Sequence, residues 1–126
     1  MLFIPILVAQ QSDINFQCTG KEKDNLHLMV KGLKKKKAGK EAVKLILFKG
    51  IESKSCGVQY PLLKSDESIR KFSEIKCVFF SRKGDYQRFV SVDGKKEDSL
   101  EITLNRKLLA AYLKEKKIIK PLNYGF

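Results

Sequence analysis

Between Ile14 and Thr19 the chain alternates without a break, with Ile14, Phe16 and Cys18 on one side and Asn15, Gln17 and Thr19 on the other. A period of two puts successive side chains on opposite faces, so this segment predicts a half-buried strand. The polar stretch "GKEKDN" follows, and "LHLMVKG" resumes the alternation with Leu26, Leu28 and Val30 on one face and His27 on the other. The two strands read as a hairpin.

From Ala38 the period lengthens. Ala38, Ala42, Leu45 and Ile46 recur at three- and four-residue spacings, opposite Lys37, Lys40, Glu41 and Lys44, which predicts an amphipathic helix. Gly50 is its natural stop, with Lys49 complementing the negative end of the dipole. "IESKSCGVQYPLL" reads as a long loop. Ser65 can cap a second helix whose first turn holds Asp66 and Glu67 and whose apolar side carries Ile69, Phe72, Ile75, Phe79 and Phe80; Arg82, Lys83 and Gly84 end it. "YQRFVSV" and "LEITL" are predicted strands joined through "DGKKEDS", where Asp93-Gly94 is a turn signal. Asn105 caps a last helix with Leu108, Leu109, Tyr112 and Leu113 on one face, and Pro121 forbids its continuation.

Hairpins mixed with helices, rather than regular strand-helix alternation, imply an α+β fold: a two-layer sandwich in which two to three helices cover one face of an antiparallel or mixed sheet of about four strands. At 126 residues the chain is expected to form one domain, residues 11–126.

Residues 1–10 stand apart from that pattern. Eight apolar residues precede Gln10, too few for a bilayer span but suited to the apolar core of an export signal, with small Ala9 at a cleavage position. No Lys or Arg precedes the run, so the signal is read as a remnant truncated at its basic front, leaving a mature chain that begins near Gln10 or Gln11. Export to the periplasm or cell envelope is the expected location. Pro5 argues against the other reading of this run, a central buried strand.

Charge adds a second theme. Lys and Arg number 26 against 14 Asp and Glu, and the net +12 less the four consecutive lysines at 34–37 is still +8. Basicity spread this widely attracts polyanions of any kind and does not choose among them. The segment "GLKKKKAGKE" is not a nucleotide-binding loop. Six residues separate Gly32 from Gly39, and Glu41 stands where the phosphate-binding motif needs a hydroxyl. Lys34, Lys35, Lys36, Lys37 and Lys40 instead form a candidate anion-binding corner, against the plainer reading of a solvated, lysine-rich bend.

Chemistry of other kinds has little footing. One histidine and three scattered cysteines lack the spacing of a zinc site, and there is no nucleophile elbow and no acidic pair that local spacing brings together for catalysis, so no catalytic residue, metal site or cofactor is expected. In an oxidising compartment Cys56 in its loop and Cys77 in its helix can pair; equally, Cys18, Cys56 and Cys77 can be three partly buried thiols.

The assembled pattern resembles a group of small exported proteins of Gram-negative bacteria. In them an alternating strand leads through a glycine and a lysine-rich corner into an alanine-containing helix, as in "LHLMVKGLKKKKAGKEAVKLILFKGI" here. The likeness runs on through "PLLKSDESIRKFSEIKCVFF" and "LEITLNRKLLAAYLKEKKIIKPLNYGF", and is similar to the unit of small bacterial lipoproteins and of the N-terminal domain of flagellar assembly protein T. The resemblance implies an exported protein with no catalytic residues to transfer; together with the export-like start it leads to the expectation of a non-enzymatic accessory or interaction domain of the envelope, with an envelope protein or an anionic surface as partner, the latter met through the lysines at 34–37. The alternative from charge alone is a cytosolic nucleic-acid-binding module.

Overall fold

Leu26, Leu28 and Val30 face Leu104, Ile102 and Leu100 across adjacent antiparallel strands, and all six side chains are buried. This pairing joins β2 (Asn25–Lys31) to β6 (Ser99–Asn105) at the centre of a four-stranded antiparallel sheet of order β1-β2-β6-β5, with β1 (Gln17–Glu22) and β5 (Val90–Gly94) at its edges. The computed structural model describes residues 14–94 and 99–120. The expected signal remnant at 1–10, the Pro121 stop and the link between β5 and β6 beyond Gly94 lie outside the described residues.

Helices cover the apolar face of the sheet. α1 (Lys35–Lys44) packs on β5 and β6 and continues through a π turn, Leu45–Lys49. Its buried stripe is small, Ala38, Gly39, Ala42 and Val43, which lets the helix axis approach the strands closely. A Cβ at Gly39 would sit 3.4 Å from Val92 Cγ2, so even this position has just the room of an ordinary contact. α4 (Arg106–Glu115) packs along β2 with Leu109, Tyr112 and Leu113 buried. Between them, α2 (Asp66–Ser73) and the short α3 (Lys76–Phe79) contribute an aromatic cluster, Phe72, Phe79 and Phe80, with Phe79 also 5.5 Å from Tyr112. The α+β two-layer expectation is what the structure shows.

Local chemistry explains the ends of these elements. Ser65 Oγ accepts from Ser68 N (3.0 Å) and Ser68 Oγ accepts from Ser65 N (3.2 Å), a capping box with serine in both roles. Asn105 Oδ1 accepts from Leu108 N, so α4 starts where the cap signal put it. It ends with Lys117 at φ 62, Lys117 N donating to Lys114 O (2.9 Å) and Ile118 N to Leu113 O (2.9 Å). That Schellman turn folds Ile118 back into the core, and Ile119 N also donates to Leu113 O (3.4 Å). Gly50, at φ 77 and ψ −177, closes the π turn through its N–H to Leu45 O (2.7 Å). The next carbonyls, Ile46 and Leu47, accept from Leu62 N and Leu63 N, which seats the following loop on the helix end.

Several expectations change. The loop after Gly50 contains a hairpin, β3 (Ile51–Ser53) and β4 (Gly57–Gln59), too short and too exposed to carry an alternation. α1 begins at Lys35 rather than Ala38, because lysine is a good helix former and periodicity locates only the first apolar contact. Of the strand predicted over "YQRFVSV", only Val90 onward is strand; Tyr86, Gln87 and Arg88 belong to a 3-10 turn, Asp85–Arg88, and Asp93-Gly94 belongs to β5, paired with Glu101 and Leu100. The second helix breaks at Glu74 and Ile75, and Ile69 and Leu108 lie exposed although their spacing matches their buried neighbours.

The disulfide is a correction. Cys56 bonds Cys18, Cα to Cα 6.1 Å, and not Cys77, which is a free, exposed thiol on α3. The reason is tertiary: β3 packs beside β1, and Ser53 Oγ bridges the two by donating to Cys18 O (3.3 Å) and accepting from Cys56 N (3.0 Å). Cys77 faces solvent instead.

Candidate functional site

Two basic regions emerge, and only one was visible in the sequence. At the lysine corner, Lys34 is the N-cap of α1, with no side-chain cap and no acid in the first turn. Four like charges therefore stand at the positive end of the helix dipole, an arrangement that repels itself and attracts anions. Successive residues on a helix diverge by about 100°, so Lys35, Lys36 and Lys37 fan outward, all exposed, rather than converging. Lys40 leaves the group: its ammonium lies 5.8 Å from the centre of the Tyr86 ring. Lys44 does the same over Phe80 at 5.4 Å while meeting Glu41 at 3.3 Å. The corner is a diffuse positive surface, and nothing about it encloses a ligand.

The second region is a groove between α2 and α4, of about 940 Å³. Arg106, Ala110 and Lys114 recur every four residues along α4 and so share the face that forms one wall. Glu67, Ser68 and Lys71 of α2 form the other, with Lys71 Nζ 3.6 Å from Glu67 Oε2. Pro61, Leu62, Ile118 and Ile119 supply aliphatic surface, and Lys64, Lys117 and Lys120 complete the rim. Six cations thus face one acid over an apolar interior. Sequence reading missed this site because its lysines are scattered over 57 positions and meet only when the Schellman turn brings 117–120 back toward α2. The lysine-rich end of α4 was the available signal.

Arg106 is the least solvated of these cations. Its Nη2 donates to Tyr60 O at 2.7 Å, while its buried Nε has no hydrogen-bond partner, and burial lowers the guanidinium below its ordinary pKa.

Elsewhere, His27 lies on the outer sheet face, half-buried, with Nε2 3.5 Å from Glu22 Oε1 and Nδ1 3.5 Å from Thr103 Oγ1. Tyr112 donates to Asp85 Oδ2 (2.9 Å); burial first, then that bond and the carboxylate charge, push its hydroxyl up to about 12. Among the described residues no group of His, Cys, Asp and Glu could hold a metal, and no helix is long and apolar enough to cross a membrane. No protein-family model, curated protein or solved structure matches the chain.

Proposed function

We propose that the chain is a non-catalytic, exported binding domain of the cell envelope that docks on anionic partners. The observation that carries the reading is the Cys18–Cys56 bridge, buried at both ends and tying the sheet edge to the β3–β4 hairpin. Structural disulfides persist in oxidising compartments and are rare in the cytosol, which accords with the apolar start at 1–10 and with the resemblance to small exported envelope proteins. The anionic preference rests on +12 and on the two basic regions. The residues 34–37 corner supplies broad attraction to an anionic surface, and the groove supplies shape.

A cytosolic nucleic-acid module shares the charge but has less in its favour, since Tyr86 beside the corner is buried under Lys40 rather than offered for stacking on bases.

The test is mass spectrometry on the native protein, alkylated before reduction. A mature N-terminus near Gln10 or Gln11 and a linked Cys18–Cys56 peptide are expected. Recovery from cytosol of a chain that keeps Met1 and has all three thiols alkylated would overturn the assignment.

A further inference from the structure

We propose that the groove between α2 and α4 binds a single-chain anionic amphiphile, an acyl carboxylate of the fatty-acid class. The inference rests on the reading of the chain as a binding domain but not on its compartment. A volume of about 940 Å³ falls within the range of small-molecule sites.

What lines the groove selects the ligand's chemistry. Its interior surface is aliphatic, from Pro61, Leu62, Ala110, Ile118 and Ile119, with no aromatic residue in the lining; the exposed Tyr60 stands beside the groove, its ring 5.5 Å from Lys64 Nζ. Both serine oxygens at its edge already accept, Ser65 and Ser68 from each other's backbone N–H, and the Ser68 hydroxyl also donates, to Ser65 O (2.8 Å). A peptide or glycan would bring many neutral donors and acceptors into a groove with few neutral side-chain partners for them, and each would lose hydrogen bonds to water. An acyl chain needs none. Its one polar end needs cations, and the groove has six against a single acid that is itself held by Lys71.

The α4 wall sets the orientation. Arg106 and Lys114 flank Ala110 on one helix face, so an apolar chain can lie against Ala110 while the carboxylate meets a cation at either end. Arg106 is half-buried, and an anion beside its guanidinium compensates a charge that has only a carbonyl for company. Lys114, Lys117 and Lys120 draw the anion in from solvent.

The experiment titrates the oxidised, full chain with cis-parinarate below its micellar concentration and follows fluorescence. Saturable one-site binding is expected, displaced by dodecanoate and not by dodecyltrimethylammonium, whose chain matches and whose charge is opposite. Lys114→Glu on the α4 wall with Lys117→Glu on the rim should weaken binding about tenfold. Ala110→Leu, which projects bulk from the α4 wall into the groove, should weaken it without altering charge, and replacement of residues 34–37 by serine should matter far less. Thermal unfolding of each variant verifies that it is folded.

Absence of saturable binding, equal displacement by the cationic amphiphile, or uptake only onto phosphatidylglycerol vesicles would each overturn the proposal. Insensitivity to the Lys114 and Lys117 reversal combined with loss on changing residues 34–37 would move binding to the corner and overturn it too. These outcomes are separable from the export reading: a chain keeping Met1 and free thiols can still bind parinarate, and an exported, disulfide-bonded chain can fail to.

Discussion

Replacing Cys18 and Cys56 together by alanine removes a cross-link that closes a loop of 38 residues in sequence. Loop-closure entropy for that span corresponds to about 4 kcal/mol at 25 °C. Both residues are buried, and alanine neither overfills their sites nor leaves a hydroxyl unpaired, so the entropy dominates the change. With a urea m value of about 2 kcal/mol/M, the midpoint falls by about 2 M; in a thermal melt Tm drops by roughly 15 °C for a chain of this length. The loss has a location as well. β3 and β4 are three residues each and touch the main sheet chiefly at β1, so amide exchange in 51–59 should accelerate beyond the global change. Cys77→Ala is the internal control: the thiol is exposed, and the substitution should stay within about 0.5 kcal/mol of the parent. Urea unfolding of the parent, the double variant and Cys77→Ala decides the matter. A double variant within about 1 kcal/mol of the parent, or a Cys77→Ala loss of several kcal/mol, would refute the pairing and the reasoning built on it.

Gly50→Ala should cost about 3 kcal/mol or more, because φ 77 with ψ −177 is a glycine region and the new Cβ would meet Gln59 O and lie 2.9 Å from Pro61 N; chemical denaturation measures it, and a loss below about 1 kcal/mol would show that the 59–61 segment yields freely. Tyr112 gives a pH signature: its hydroxyl is held up at about 12 against an ordinary value near 10, so its contribution to stability is complete below pH 10 and is lost as pH rises through 12. Tyrosinate absorbance should contain one late-titrating component absent from Tyr112→Phe, and the variant's urea midpoint should fall less steeply over that window; equal slopes would contradict the assignment.

Much of the fold was legible from pattern alone. Leu26, Leu28 and Val30, and Leu100, Ile102 and Leu104, announce the two central strands because each strand has one wet and one buried face, and a period of two records that asymmetry directly. Ser65 and Asn105 announce helix starts because capping is a bond between neighbours in sequence. The lysine run was visible for the same reason, as a local excess of charge.

The rest depended on which segments meet. Cys18 could find Cys56 only after β3 settled beside β1, a proximity that spacing does not encode. Adjacency in sequence groups Lys40 with the corner, whereas in the fold its ammonium lies over Tyr86, which arrives from a turn 46 residues later. Ile69 and Leu108 have helical spacing yet face water, since helix periodicity defines a stripe and packing decides how wide a stripe is covered. The groove is the largest case. Its cations come from a loop, two helices and the segment beyond a Schellman turn, and charge at a distance in sequence leaves no local trace until the chain folds.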